Sequence, residues 1–405
     1  MGNHYFTPLP ITLVIILAIM LMLSAINVSI ATSKATPQLQ WSKTYGPYIG
    51  KFVVQTNDEG YIIAGQNATY GIRGYNNYEP SIIKTNSLGQ LKWRTVIPSE
   101  GYAASIAQTK DLGYIIGCNP HGLLVKLDSE GRMQWNKSFG LTSCYVIESS
   151  DGGYIIAGSQ RNANNGDDAV LIKTDENGNQ VWNKTFNFVF STWVTTFIQT
   201  NDGGYAFSGQ TNWFAKTDAN GDLLWNRTYN LPIVGESAKA NSIVNTNDGG
   251  YILAGFAGNG DSAFLLKTDS QGNIQSSNHY EKSSFSSIIL DSDGGYVTVG
   301  VYSENPAIVK MDSEGNILWN ASINGNPSSI ILANDGTYVI VGTDFASDGF
   351  PADIFLAKFA PESTVSPDET YPFPITWVVV AVIIVAVAGV GLWVYFKKQK
   401  RQSAV

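Results

Sequence analysis

Short apolar runs separated by polar, glycine-rich turns fill the chain from Trp41 to Phe359. One unit, residues 151–186, reads DGGYIIAGSQ, then the polar stretch RNANNGDDA, then VLIKTDENGNQVWNKTF. Apolar runs of about four to eight residues bounded by Asp-Gly, Asn-Gly or Gly-Gly predict β-strands joined by hairpin turns, because Gly adopts positive φ without steric cost. The pattern therefore predicts an all-β domain.

The same unit recurs seven times. Each copy contains a Tyr after a glycine-containing turn and, further on, a Lys before a second turn. The Tyr positions are Tyr61, Tyr114, Tyr154, Tyr205, Tyr251, Tyr296 and Tyr338. The Lys positions are Lys84, Lys126, Lys173, Lys216, Lys267, Lys310 and Lys358. Repeats of about 40–50 residues with several short strands each are typical of β-propeller blades.

Each unit contains four strand-like runs, for example SIVNT, YILAG and FLLKTD in one unit and QVWNKTF as the fourth run of another. The unit with Lys358 has no fourth run of its own, whereas residues 38–45, with Trp41, precede the first complete unit. We expect this N-terminal strand to complete the seventh blade, because ring closure removes an open sheet edge. The predicted fold is an all-β, seven-bladed β-propeller over residues 36–360.

Two long apolar segments flank the repeats. The first lies within residues 1–35, which we interpret as a signal peptide or, since a basic n-region is missing, an uncleaved signal anchor. The second, residues 375–396, is long enough to cross the hydrocarbon core and has Trp and Tyr near its ends. We therefore predict an N-terminal signal or anchor helix and a C-terminal transmembrane helix.

The residues around the second apolar segment predict its orientation. Residues 361–374 are rich in Pro, Ser, Thr and acidic residues, which is typical of an extended stalk. Residues 397–405 contain four basic residues and no acid, so the positive-inside rule predicts a cytoplasmic tail, with the propeller outside the cell membrane. An alternative is a sorting signal that is cut and replaced by lipid, because the Pro-Phe-Pro motif, apolar helix and basic cluster are similar in layout to archaeal signals of that kind.

The repeat pattern DGGYIIAG … KTDENGNQVWNKT resembles the repeats of secreted or membrane-anchored archaeal and bacterial β-propeller proteins, which are similar to quinoprotein-like and WD-type propellers. The resemblance covers about residues 38–360. It implies the seven-bladed fold, but it does not name a ligand, because propellers serve as enzymes, lectins, adhesins and scaffolds.

The charge balance argues against one class of partner. The chain has 25 basic and 33 acidic residues, a net charge of -8. Four of the basic residues lie in the C-terminal tail, which leaves 25 − 4 = 21 for everything else. A nucleic-acid surface needs a basic stripe to neutralise phosphates. We therefore expect no nucleic-acid partner.

The chain contains no recognisable catalytic motif. Its three histidines, His4, His121 and His279, form no HExxH motif or triad-like cluster. Quinoprotein dehydrogenases would need an adjacent Cys pair, and the two cysteines are separate in sequence. We name no catalytic and no metal-binding residue, and we expect a binding protein rather than an enzyme. The alternative is an extracellular hydrolase or lyase with its site at the propeller channel.

Propeller topology sorts the turns onto two faces. The turns from first to second strand (NDGG type) and from third to fourth strand (DENGN type) form the repetitive face. The second-to-third connections and the blade-to-blade connections form the variable face. A Lys that recurs in every unit, such as Lys173, is expected to pair with a turn carboxylate such as Asp151 and to serve the scaffold.

The loops of the variable face differ between units, and the binding prediction rests on them. Aromatic, Asn and Asp side chains on the loops of a rigid scaffold suit glycan or peptide ligands. The candidates for ligand binding are Tyr70, Tyr75, Tyr78, Asp167, Asp168, Trp193, Trp213, Phe350 and Asp353. We therefore predict a membrane-anchored extracellular module for binding, adhesion or cell-envelope interaction, with a glycan or protein ligand. The alternative for each residue is an ordinary loop position packed onto the scaffold.

Sequons for N-glycosylation occur at Asn67, Asn136, Asn183, Asn226 and Asn320. Four of them follow the Trp of a fourth strand, at the outer rim of a blade. Glycans there would be accessible and would block edge-to-edge pairing, which predicts a glycoprotein. The alternative is polar edge chemistry copied by duplication.

Two further motifs leave alternatives open. Cys118 and Cys144 fall in adjacent blades, so they form either a disulfide or two buried thiols. Asn162, Asn164, Gly166 and Asp168 place oxygen ligands at alternate positions, as a calcium loop does, but Lys173 stands where such a loop needs Glu. Turn formation explains these residues without a metal, so we expect no cofactor, with calcium as the alternative.

Overall fold

The computed structural model describes residues 36–360 except 47, 71–75, 189–191, 230–237, 259 and 345–352, together with residues 394, 396 and 397. The predicted signal or anchor segment and stalk lie outside these residues, as do nearly all of the transmembrane segment and the tail. In the part of the chain that is described, no helix is long and apolar enough to cross a bilayer.

The described residues form 28 strands in seven antiparallel sheets of four strands, the blades. Blade 7 takes its outermost strand, β1 (Leu39–Tyr45), from the N-terminus. Blade 1 contains β2 (Tyr48–Gln55), β3 (Tyr61–Tyr70), β4 (Asn76–Thr85) and β5 (Leu91–Val96). Blade 2 contains β6 (Tyr102–Gln108), β7 (Tyr114–Asn119), β8 (His121–Leu127) and β9 (Met133–Leu141). Blade 3 contains β10 (Ser143–Glu148), β11 (Tyr154–Arg161), β12 (Asp167–Thr174) and β13 (Gln180–Phe186).

The other blades follow the same order. Blade 4 contains β14 (Val194–Gln199), β15 (Tyr205–Gly209), β16 (Trp213–Thr217) and β17 (Leu223–Thr228). Blade 5 contains β18 (Ala238–Asn245), β19 (Tyr251–Ala257), β20 (Ser262–Thr268) and β21 (Ile274–Glu281). Blade 6 contains β22 (Ser284–Leu290), β23 (Tyr296–Tyr302), β24 (Asn305–Met311) and β25 (Ile317–Ser322). Blade 7 adds β26 (Asn326–Leu332), β27 (Tyr338–Asp344) and β28 (Asp353–Phe359).

Burial along the strands explains their sequence patterns. The second and third strands of a blade are covered on both faces, so β11 and β12 are nearly continuous apolar runs. The fourth strand is the outer edge, and β13 alternates between exposed and partly buried residues. The apolar runs of the repeat are therefore middle strands, and the Trp-containing run is the edge.

The ring closes through β1, as predicted. It pairs antiparallel with β28, with Trp41 opposite Lys358 and Tyr45 opposite Ile354. The Ala360 amide also donates to the carbonyl of Gln38 at 2.8 Å. The sequence-based prediction of seven blades closed by the N-terminal strand is confirmed, and Thr36–Glu362 form one compact unit.

The hydrophobic core consists of seven clusters, each shared by two adjacent blades. The cluster that joins blade 7 to blade 1 contains Val339 and Ile354 from one side and Val53 and Tyr61 from the other. Since each sheet buries both faces against its neighbours, a blade cannot form its core alone. Ring closure completes the last of these clusters.

The Trp of the fourth strand packs on the next blade. The rings of Trp93 and Tyr114 lie 5.6 Å apart between centroids, and Trp93 Nε1 donates to the Ser129 carbonyl at 3.2 Å. Gly131 in the turn beneath has a φ of 79°, and a Cβ there would meet the Trp93 ring at 2.6 Å. Only glycine satisfies both conditions. Equivalent contacts are Trp41–Tyr61, Trp135–Tyr154 and Trp225–Tyr251.

Candidate functional site

The seven repeated lysines form ion pairs on the repetitive face. Each pairs with the Asp of the first turn in its own blade. The pairs are Lys84–Asp58, Lys126–Asp111, Lys173–Asp151, Lys216–Asp202, Lys267–Asp248, Lys310–Asp293 and Lys358–Asp335. The lysine side chains are mostly buried. The predicted Lys173–Asp151 pair is confirmed, with 2.6 Å between Nζ and Oδ1.

The ion pairs change how the turn aspartates titrate. Burial raises the pKa of Asp335, but hydrogen bonds from Lys358 and Thr337 outweigh it and lower the pKa to about 2. The same balance, with Lys216 as the main donor, lowers the pKa of Asp202 to about 2. These carboxylates are therefore ionised at neutral pH and hold the buried ammonium groups. The repetitive face uses its lysines to stabilise each blade.

Blade 6 contains an additional buried carboxylate. Lys310 pairs with both Asp291 and Asp293, and the Tyr338 hydroxyl of blade 7 donates to Asp291 at 2.7 Å. The Lys310 side chain is 0% exposed and that of Asp291 is 8% exposed. This cluster connects blade 6 to blade 7 through the Tyr338 hydroxyl.

The variable face carries four of the predicted ligand-binding residues as half-buried side chains. They are Tyr78 in β4, Asp168 in β12, Trp193 just before β14, and Asp353 at the start of β28. They belong to blades 1, 3, 4 and 7, so they are distributed around the face. Tyr75 and Phe350 lie outside the described residues, and only the backbone of Tyr70, at the end of β3, is described.

Two candidates do not lie in surface loops, contrary to the prediction. Trp213 begins β16, is 1% exposed, and packs edge-on against Phe207 with ring centroids 5.7 Å apart. Asp167 begins β12 and is 3% exposed, and it accepts hydrogen bonds from Thr142 at 3.1 Å and Arg161 at 3.3 Å. Both belong to the scaffold because β12 and β16 begin earlier than the residue pattern indicated.

The segment proposed as a calcium loop is a tight turn between β11 and β12. The Asn162 side-chain oxygen accepts from the amides of Asn164 and Gly166, both at 3.0 Å, and its Nδ2 donates to Asp168 at 2.9 Å. This is the local hydrogen bonding that places Asn in turns. The Asn residues are thus explained by backbone geometry.

Four sequon asparagines are exposed on outermost strands. Asn136, Asn183, Asn226 and Asn320 follow the Trp of β9, β13, β17 and β25. Each occupies the same register, directly after the Trp that lies opposite the repeated Lys. The fifth, Asn67, is half-buried in β3 between Tyr48 and Glu79.

The two cysteines lie where the repeat predicted, in β7 and in β10 of the neighbouring blade. Both are buried free thiols, so the structure does not contain the disulfide that one alternative required. Burial raises the pKa of Cys144 to about 12. The thiol is therefore protonated at neutral pH and a poor nucleophile.

The innermost strands, β2, β6, β10, β14, β18, β22 and β26, line the central channel. They contain two basic residues, Lys51 and Lys239, one acid, Glu148, and no His or Arg. Glu148 ends β10 at the repetitive face, where it accepts from the Lys110 amide at 3.0 Å. Among the described residues, neither Lys51 nor Lys239 forms an ion pair.

These two lysines are not predicted by the residue pattern of the repeat. They occupy different positions in their strands, so they do not form a recurring position of the repeat. The available signal was their rarity, because no other first strand contains a basic residue. Only the arrangement of the blades in a ring shows that both lysines lie at the central channel.

The fold and its ring closure define a seven-bladed β-propeller. Residues 120–335, more than half of the chain, match the family described as outer membrane protein assembly factor BamB. The chain therefore belongs to this quinoprotein-like propeller family. A comparison with curated protein sequences gives no match to this chain.

Solved structures with a similar fold include a lyase and a WD40 domain. The virginiamycin B lyase of Staphylococcus aureus is similar with a TM-score of 0.58 and 12% identity, over 80% of this chain and 99% of that one. The Pan2 WD40 domain of Neurospora crassa has a TM-score of 0.55 and 10% identity, over 82% and 98% of the two chains. At such identities the likeness extends to the fold alone.

Proposed function

We propose that the chain is a cell-surface binding module that recognises a glycan or protein ligand through the variable face of its propeller. The observation that carries this proposal is the difference between the two faces. On the repetitive face the repeated Lys of every blade is paired with a turn Asp, whereas the variable face has connections of unequal length with half-buried Tyr, Trp and Asp side chains. Irregular loops on a rigid scaffold are the usual location of binding residues.

The composition of the channel wall supports binding rather than acid–base catalysis. General acid–base chemistry usually requires His, Asp, Glu or Lys groups that converge on one substrate atom. The innermost strands contain no His or Arg, and their one acid faces away toward the repetitive face, so Lys51 and Lys239 have no acidic partner among the described residues of the channel wall. A hydrolase or lyase site at the channel is therefore the less favoured candidate.

We further propose that residues 375–396 anchor the module in the cell membrane, with the propeller outside and the tail in the cytoplasm. The support is the uncharged apolar stretch with terminal aromatics and the basic tail that follows. The family description, an outer membrane protein assembly factor, is consistent with a role in the cell envelope. Protease treatment of intact cells should remove the propeller and leave the basic tail protected. Digestion of the tail together with the propeller would contradict this orientation.

A glycan and peptide array tests the binding proposal. The full chain, solubilised in detergent, is expected to bind a restricted set of ligands, and Trp193→Ala is expected to weaken that binding. Val181→Ala is the matched control, because Val181 is an exposed outer-strand residue, 62% accessible and remote from the variable face. Uniform absence of binding, or equal loss in both variants, would favour a purely structural role.

A further inference from the structure

The channel wall concentrates positive charge in a protein whose net charge is -8. Lys51 occupies a bulge of β2, where the pairing with β3 shifts between Gly50 and Phe52. A bulge re-aims a side chain away from the regular strand direction. The Lys51 Nζ lies 5.9 Å from the ring centroid of Tyr102, the first residue of β6 in the next blade.

The second lysine lies near the variable-face end of its strand. Lys239 is the second residue of β18, and its Nζ lies 5.8 Å from the ring centroid of its cross-strand neighbour Phe256. Both lysine side chains are half-buried. Each ammonium group therefore has an aromatic ring beside it, and among the described residues no carboxylate pairs with it.

The charge of Lys51 acts on Lys239. Burial lowers the pKa of both Lys51 and Lys239, and the charge of Lys51 lowers the pKa of Lys239 further. Blades 1 and 5 are not neighbours, because blades 6 and 7 separate them by the shorter way round the ring. Their side chains can interact only across the central space. Two desolvated ammonium groups that repel each other are stabilised by an anion between them.

We propose that the central channel binds a small oxyanion, a carboxylate or a phosphate, between Lys51 and Lys239. The ammonium groups supply charge-assisted hydrogen bonds from opposite sides. The Tyr102 ring supports Lys51 from the next blade, and its hydroxyl is held by Asn119 Nδ2, which donates to it at 3.2 Å. The site lies in the channel wall, inside the ring of variable loops, so it is separate from the surface tested on the array.

Calorimetric titration of the full chain in detergent at low ionic strength tests this site. Sodium phosphate and sodium glucuronate are the probes, and glucose is the uncharged control. We expect saturable binding of at least one anion, and weakening by about tenfold or more in Lys51→Met and in Lys239→Met. The stronger of the two anions identifies phosphate or carboxylate as the preferred group.

The control variant is Lys282→Met, because Lys282 is 69% exposed and already paired with Glu304 at 2.7 Å. It should bind like the wild type, as should the charge-preserving Lys51→Arg. The Met variants are expected to fold, because each removes an unpaired, partly desolvated charge. Lysine side-chain NMR gives a second readout, since anion binding should raise the pKa of Lys239.

Two results would overturn the proposal. One is the absence of saturable heat with both anions in the folded wild type. The other is the same loss of affinity in Lys282→Met as in the channel variants, which would indicate non-specific charge attraction. Neither result affects the outcome of the glycan and peptide array. The proposals for the channel site and for the variable face can therefore be contradicted independently.

Discussion

At the scale of single residues, Lys310 and Asp291 distinguish blade 6 from the other repeats. Four blades place a Thr where blade 6 has Asp291, and that Thr donates to the paired turn Asp. In blade 6 the extra carboxylate is buried and requires both Lys310 and the Tyr338 hydroxyl. A buried ion pair adds little net stability, but removal of one partner leaves an uncompensated charge.

The first prediction concerns this pair. Lys310→Met should lower the free energy of unfolding by about 3–5 kcal/mol, because Asp291 is left charged and buried. Adding Asp291→Asn should recover most of the loss. The exposed pair gives the comparison: Lys282→Met should cost about 1 kcal/mol or less. Urea unfolding of the four proteins measures these differences, and a double variant no more stable than Lys310→Met would contradict the explanation.

The second prediction concerns pH. The pKa values of Asp202 and Asp335 are about 2 in the folded chain and about 3.9 for unfolded Asp. A lowered folded pKa stabilises the fold above the unfolded value, so this stability is complete above about pH 4 and is lost as pH falls toward about 2. Thermal unfolding between pH 5 and pH 2 should therefore show a falling Tm.

Asp335→Asn serves as the control for this pH dependence. It removes one of the titrating groups, so its Tm should start lower and fall less over the same window. A parallel fall in the variant and the wild type would show that other groups cause the acid sensitivity.

At the scale of elements, the outer strand of each blade is a connector as well as an edge. Trp225 in β17 is 8% exposed and packs edge-on against Phe214, with centroids 5.1 Å apart. Its ring also lies 6.2 Å from Tyr251 in the next blade, and its Nε1 donates to the Ser270 carbonyl at 3.2 Å. In blade 5 the corresponding position is Ser276, so the junction of blades 5 and 6 has no Trp at this position.

The third prediction follows from this contact. Trp225→Ala should destabilise the propeller by about 3–5 kcal/mol, because it opens a cavity between blades 4 and 5. The neighbouring Leu224 is 55% exposed, and Leu224→Ala should change stability by no more than about 0.5 kcal/mol. Chemical unfolding compares the two variants. Similar costs for both would show that the Trp is a surface feature of the strand rather than a link between blades.

At the scale of the whole molecule, stability depends on closure. Because each blade shares its core with both neighbours, an open ring divides the cluster between blades 7 and 1 and leaves one strand edge unpaired. The strand that prevents this, β1, is far from its partner β28 in sequence. Folding of the ring must therefore wait until both ends of the domain are present.

The fourth prediction tests closure. A chain that lacks residues 1–46 loses β1 and the Trp41–Tyr61 contact, and it should show a lower Tm and self-association through the exposed β28 edge. A chain that lacks only residues 1–35 retains the strand and should stay monomeric with the Tm of the full domain. Size-exclusion chromatography and thermal unfolding compare them. Equal behaviour of the two truncations would rule out a stabilising role for the N-terminal strand.

Local patterns were sufficient for the architecture. Turn glycines, short apolar runs and the recurrence of Tyr, Lys and Trp predicted seven blades, and the unpaired strand at residues 38–45 predicted closure. They also predicted that Lys173 pairs with Asp151, because two turns on the same face of one blade bring them together. These inferences succeed because they depend on short stretches of chain whose geometry the residues themselves constrain.

The sites depended on the tertiary structure. The residue pattern predicts loop positions for Trp213 and Asp167, but β16 and β12 begin at these two residues and bury both side chains. In a strand, one step of register turns a side chain to the opposite face. The bulge at Lys51 is local to one hairpin and recurs in five other first strands, whereas the approach of Lys239 from a blade that is not its neighbour exists only once the ring has closed. The sequence alone determined the repeat, its blades and their closure, whereas the charge that faces the channel was decided by contacts between distant segments.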